Sequence, residues 1–123
     1  MYIAHYDHLL KRSPHLLQEH VKGMLNIIGQ FDLSFDPYGM TKASVVLHDS
    51  GKKSAAFQEY ISDPNGKRGS VQHAKAGAYA LNQQRYEKVD GLKGFIIDLV
   101  SLIVASHHRG LYDFNKEFFN KIN

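Results

Sequence analysis

Leu47-His48-Asp49-Ser50-Gly51-Lys52 sets a histidine beside an aspartate, with a glycine and a lysine directly after. Neutral imidazole and carboxylate are preferred ligands of divalent metals. Side by side they can hold one ion, or the two carboxylate oxygens can bridge two. An isolated His-Asp pair is usually structural. Here four more histidines, His20, His73, His107 and His108, also fall in or beside apolar helical patterns. Each has an ordinary explanation by itself. His20 suits a core imidazole bonded to a carbonyl, and His73 a polar residue of a first helical turn. His107 and His108 suit cations at a helix C-terminus, and Lys52 a solvated cation. A metal centre between facing helices accounts for all of them together. Adjacent helical residues diverge by ~100°, so His107 and His108 can share an ion only at a helix end. His5, His8 and His15 read as bystanders in a frayed N-terminal segment, with no apolar face to turn them inward.

The elements that must position these groups are helices. Ser13-Pro14 is a helix-start signal, and Leu17, Val21, Met24 and Ile28 follow at helical spacing. His20 shares that face, and Gly29 ends the helix. Residues 30–39 read as a loop with a turn at Asp36-Pro37. A second helix over 40–49 presents His48 and Asp49 at its end. A third over 53–61 has Ala56, Phe57 and Tyr60 as its inner face. A turn at 62–66 leads into an exposed basic loop with Lys67 and Arg68. A fourth helix, capped by Ser70 and running to Tyr86, buries Ala74, Ala78 and Leu81, with small residues Ala76 and Gly77 for close packing. A fifth over 91–108 carries Phe95, Leu99, Leu102 and Ile103, is apolar on more than one side and so reads as the central buried helix, with Gly110 as its stop. Residues 113–122 form a short sixth helix through Phe114, Phe118 and Phe119. No run alternates over strand length, so the fold class is all-α.

The 123 residues are 43% hydrophobic and 22% charged, the composition of a single globular domain. Cysteine is absent, which excludes disulfides and thiolate metal sites. The first residues lack the basic region and apolar core of a signal peptide. The most apolar segment, 95–105, contains Asp98 and is too short for a bilayer. A cytoplasmic protein without membrane contact is expected. The formal charge of +3 permits a polyanionic partner without requiring one.

His20, then His48-Asp49-Ser50-Gly51-Lys52, then His73-Ala74-Lys75-Ala76-Gly77-Ala78, then Ser106-His107-His108-Arg109-Gly110-Leu111, resembles the HD phosphohydrolase superfamily. More narrowly it resembles the HD nuclease domain of the type I CRISPR helicase-nuclease, with Ala56-Phe57-Gln58 after the HD-Gly-Lys motif as a supporting detail. The resemblance covers residues 13 to 113. It implies one HD-type domain over 1–123, with a core of about five helices around a metal centre. It implies a metal-dependent endonuclease that cleaves single-stranded DNA in CRISPR antiviral defence. Its partners would be a helicase component that feeds the strand and an RNA-guided effector complex.

Carried over by residue, His20, His48 and Asp49 would hold a first divalent ion. Asp49 would bridge to a second held by His73, His107 and His108. Lys52 would stand by the metals and contact the scissile phosphate or the leaving oxygen. Two ions about 3.5–4 Å apart would clamp the phosphoryl oxygens and generate the attacking hydroxide. Manganese, nickel, cobalt, iron, magnesium and zinc are all admissible. The family supplies one further aspartate to the first metal from a downstream helix. This chain offers none in that place: Asp113 follows His108 too closely and Asp98 precedes His107 on the central helix. The chain is therefore expected to lack the C-terminal part of the usual domain. Two alternatives share the resemblance: a phosphohydrolase of nucleotides or small phosphate esters, and a catalytically impaired HD binding module.

Overall fold

His15 and Leu16 are taken into a strand, and that displaces the start of the first helix. In the computed structural model, which describes residues 1–36, 38–83 and 91–108, β1 (Ile3–His5) pairs antiparallel with β2 (His15–Leu16). Ile3 lies opposite Leu16 and His5 opposite His15. Ser13-Pro14 therefore precedes a strand rather than opening a helix. Helix α1 (Leu17–Ile28) starts at Leu17. The Leu16 N–H donates to the Glu19 carboxylate at 3.3 Å, and the Leu17 N–H to the Tyr2 carbonyl at 2.9 Å. Leu17 is buried and Val21, Met24 and Ile28 are half-buried, as their spacing predicts.

The N-terminal segment is tied down rather than frayed. The Gln58 side-chain amide accepts from the Ile3 N–H at 2.9 Å and donates to the Ile3 carbonyl at 3.0 Å. It also donates to the Lys52 carbonyl at 2.7 Å. One carboxamide thus joins β1 to the turn that carries Lys52. His8 Nε2 lies 3.0 Å from the Ile61 carbonyl, which gives that ring a structural partner.

Helix α2 (Met40–Leu47) is capped from a distance. The Asp36 carboxylate accepts the N–H groups of Met40 at 3.0 Å and Thr41 at 2.6 Å. The helix ends two residues earlier than its sequence suggests, and Ser50–Lys53 forms a 3₁₀ turn. Ser54 Oγ accepts the Phe57 N–H at 3.2 Å and caps α3 (Ala55–Ser62). Phe57 is buried and Tyr60 half-buried, whereas Ala56, expected inward, is exposed. Helix α4 (Ala74–Gln83) begins too late for Ser70 to cap it, and His73 sits one residue ahead of it.

The core joins Met40 of α2, Ala78 and Leu81 of α4, and Ile97, Val104 and Ala105 of α5 (Gly91–Ser106). Helix α5, expected to be the central buried helix, is buried on one side only. Leu102 is buried, but Phe95 is 58% and Ile103 51% exposed, and Leu99 is exposed too. The buried face is instead Gly94, Ile97, Ser101, Val104 and Ala105. On a helix that is apolar all round, the small side chains decide which side a neighbour can approach.

Two glycines set how closely α4 approaches. A Cβ on Gly77 would collide with the Leu47 carbonyl oxygen and lie 2.8 Å from that of His48. A Cβ on Gly51 would collide with the His73 carbonyl oxygen and lie 2.8 Å from the His73 Cα. Backbone therefore meets backbone where His48-Asp49 faces His73. Among the described residues there are five α-helices and a two-stranded sheet, a mostly helical fold. No described helix is long and apolar enough to cross a membrane. Pro37, Tyr86, the Gly110 stop and the sixth helix at 113–122 lie outside the described residues.

Candidate metal centre

Asp49 leaves the end of α2 and turns its carboxylate inward, where it is 3% exposed. Histidines from four parts of the chain surround it. His48 Nε2 lies 3.2 Å and His20 Nε2 3.4 Å from Oδ2. His73 Nε2 lies 3.3 Å and His107 Nε2 3.4 Å from Oδ1. His108 joins the second set, its Nε2 2.8 Å from that of His73. His20 and His48 approach each other at 3.4 Å. The structure thus brings together His20, His48, Asp49, His73, His107 and His108, and it divides the imidazoles between the two carboxylate oxygens. Ligand atoms of His20, His48 and Asp49 fall within 4.8 Å of one another, as do those of Asp49, His73, His107 and His108.

The tautomers follow from the backbone. His48 Nδ1 lies 2.8 Å from the Val45 carbonyl and His107 Nδ1 2.6 Å from the Val104 carbonyl. A carbonyl only accepts, so each Nδ1 carries the hydrogen. In the neutral rings each Nε2 then aims a lone pair at the Asp49 carboxylate. Asp49 Oδ1 is buried without a hydrogen-bond donor. The Lys52 ammonium meets Oδ2 alone, so the lone pairs converging on the Oδ1 side from His73 and His107 leave room for a proton or a metal. An Nδ1–H···O=C bond of this kind commonly fixes the orientation and tautomer of a metal-ligating imidazole. The donor set therefore fits one or two divalent ions.

Lys52 stands beside the carboxylate of the centre and is buried rather than solvated. Its ammonium, 3% exposed, lies 2.8 Å from Asp49 Oδ2 and 5.8 Å from the centre of the Phe57 ring. It neutralises the carboxylate directly while still lining the neighbouring cleft. Phe57 packs edge-on against His73 at 5.0 Å and so steadies both groups. Asp98, already out of place in the sequence, lies 3.5 Å from the Asn82 amide and belongs to none of the metal-competent groups. Asp113 lies outside the described residues.

Burial alone would raise the Asp49 carboxyl. Contacts with His48, His73 and Lys52 outweigh it and hold the group far below the ordinary carboxylate range. His48 is shifted up, chiefly by Asp49 and against its burial, so a metal bound there would compete with a proton. His20 is shifted down by burial. His108 is pushed down to about 4 by burial and by the neighbouring His107 and His73.

These shifts have opposite consequences for stability. His108 protonates in the unfolded chain near 6.5 but in the folded chain only near 4, so acid favours unfolding across that window. The His48–Asp49 contact acts the other way, complete below 6.5 and lost as pH rises through the raised folded value. With chelator present, the melting temperature of His108→Gln is expected to fall less than that of the parent between pH 6.5 and 4. Parallel pH curves would remove His108 from this account.

A cleft of about 560 Å³ opens beside the centre. Lys52, Arg68 and Lys75 give it positive charge, and Tyr6 and Tyr60 give it aromatic surface. His5, His73 and His108 also line it. His5 and His15, set aside in the sequence, prove to lie with His20: one ring nitrogen from each falls within 4.8 Å of the others. Strands of three and two residues are too short to show alternation, which is why the sequence concealed this. The available signal was a pair of histidines on either side of Lys11-Arg12, where Lys11 takes a φ of 48° and the chain reverses. No family model, curated protein or solved structure matches the chain.

Proposed function

We propose that this chain is a metal-dependent phosphodiesterase of the HD type, and more narrowly an endonuclease of single-stranded DNA serving CRISPR defence. One observation carries the reading. A single buried carboxylate faces two separate imidazole sets through its two oxygens, beside a cleft lined with cations. Divalent ions held there would supply Lewis-acid polarisation of a phosphoryl oxygen and a water acidic enough to ionise near neutral pH.

The chain's own groups do the rest. Asp49 binds the two sets into one unit, and the carbonyls of Val45 and Val104 hold His48 and His107 in the ligating tautomer. His108 stays neutral at pH 7 and available. Lys52 adds positive charge where phosphoryl transfer gathers negative charge. Arg68 and Lys75 attract the phosphate backbone in a salt-sensitive way, and the tyrosines offer surface on which bases can stack. On this reading a helicase component supplies the strand, an RNA-guided effector complex selects it, and the cytoplasm is the compartment.

The same cleft has the volume of a small-molecule pocket, which supports hydrolysis of a nucleotide or small phosphate ester as the second reading. Purified protein with manganese or nickel is expected to nick circular single-stranded DNA, to stop on chelation, and to leave a nucleotide panel intact. Phosphate release from nucleotides without DNA cleavage would install the second reading. Neither activity with any first-row divalent metal or magnesium would overturn both.

A further inference from the structure

We propose that His5, His15 and His20 form a second transition-metal site where the β1–β2 hairpin meets α1, adjoining the Asp49 centre and sharing His20 with it. His5 and His15 are partners across the antiparallel ladder, so their side chains leave the sheet on the same face. Their rings are nearly parallel, with an interplanar angle of 21° and centroids 5.9 Å apart. Both stand nearly perpendicular to His20, at 79° and 5.2 Å for His5 and at 88° and 5.8 Å for His15. Three imidazoles on three elements thus surround one point, and one nitrogen of each lies within 4.8 Å of the others. A metal–nitrogen bond of about 2.0–2.1 Å would close that triangle with a small inward shift of the rings.

The ligand chemistry sets the ion. Three neutral imidazoles without a carboxylate select zinc, nickel, cobalt or copper over magnesium and manganese, which require oxygen. The Asp49 centre carries a carboxylate and admits both classes, so the two sites differ in selectivity. Two of the three histidines are exposed, which leaves coordination positions open to solvent. Because His5 also lines the cleft, an ion here would fasten the cleft wall formed by β1 to α1. The inference does not depend on the hydrolytic reading.

The test uses untagged protein in which Asp49→Asn and Lys52→Met, together with His48→Gln, His73→Gln and His107→Gln, have removed the Asp49 centre. Equilibrium dialysis is expected to find one nickel per chain in that protein. His15→Gln added to it should weaken nickel binding about a hundredfold. Absence of nickel binding, or binding unchanged by His15→Gln, would overturn the proposal. Should the background variant not fold, imidazole ¹⁵N NMR of the parent chain decides. Ring nitrogens of His5 and His15 are expected to shift with zinc and not with magnesium. A zinc response confined to His20, His48, His73, His107 and His108 would count against the site.

Discussion

Asp49→Asn is expected to abolish manganese binding at both imidazole sets and to cut manganese-dependent phosphodiester cleavage by at least about a thousandfold, as when residues that act as one unit lose their common member. The carboxamide keeps the shape of the carboxylate but loses its charge and half of its acceptor capacity. Since Oδ2 serves His20 and His48 while Oδ1 serves His73 and His107, one substitution reaches both. Stability should fall as well. The Lys52 ammonium is buried against Asp49 Oδ2, and without that anion it becomes an unpaired internal charge. Such a loss costs about 3–5 kcal/mol, or roughly 10 °C or more in melting temperature for a chain of this size. Adding Lys52→Met removes the stranded charge and should restore most of the melting temperature without restoring metal or activity. Isothermal titration with manganese and calorimetric melting separate the two effects. Cleavage surviving in the folded double variant would exclude Asp49 from the chemistry.

Gly77→Ala is expected to be nearly as damaging, although Gly77 touches no substrate or ligand atom. Its new methyl would collide with the Leu47 carbonyl oxygen and lie 2.8 Å from the His48 carbonyl oxygen and 3.0 Å from the His48 carbon. These are backbone atoms that no rotamer can move, so α4 must back away from α2. Overpacking of this kind costs about 1–3 kcal/mol, against at most about 1 kcal/mol gained from alanine's helix propensity. The site suffers more. His73 precedes α4 while His48 and Asp49 follow α2, so the displacement opens the gap that the second imidazole set must span. A misplacement near 1 Å can cost about a hundredfold in rate. Gly23→Ala is the matched control, since a Cβ there meets nothing within 4 Å. It should leave cleavage unchanged and stabilise slightly. Equal behaviour of the two alanine variants would show that helix spacing does not govern the site.

Much of this arrangement was legible in the sequence. Leu17, Val21, Met24 and Ile28 announced α1, and His20 was placed correctly by sharing their face. The convergence of His48, Asp49, His73, His107 and His108 could be anticipated because helix ends present adjacent side chains more freely than helix middles. The exact end of α2 could not. Asp49 reaches the interior only because the chain leaves the helix at Leu47 and tightens into the 3₁₀ turn, a choice fixed by α4 lying close by. The inner face of α5 was also hidden, since Phe95, Leu99 and Ile103 carry as much apolar weight as the residues that are buried. Packing against α4 chose the side with Gly94, Ser101 and Ala105. His5 and His15 escaped because strand pairing between positions far apart leaves no local period to read. The close seat of Lys52 on Asp49 is likewise a tertiary fact, set by burial over Phe57.

The clamp made by Gln58 has a practical consequence for handling the protein. Lys11 and Arg12 are exposed in the reversal between the two strands, a natural point of attack for trypsin. A product trimmed there would keep every group that faces Asp49. It would nevertheless strand the Gln58 carboxamide, whose remaining partner is the Lys52 carbonyl. Shortened preparations should therefore lose activity more readily than their intact ligand set suggests, and fusions are better attached with the first strand left free.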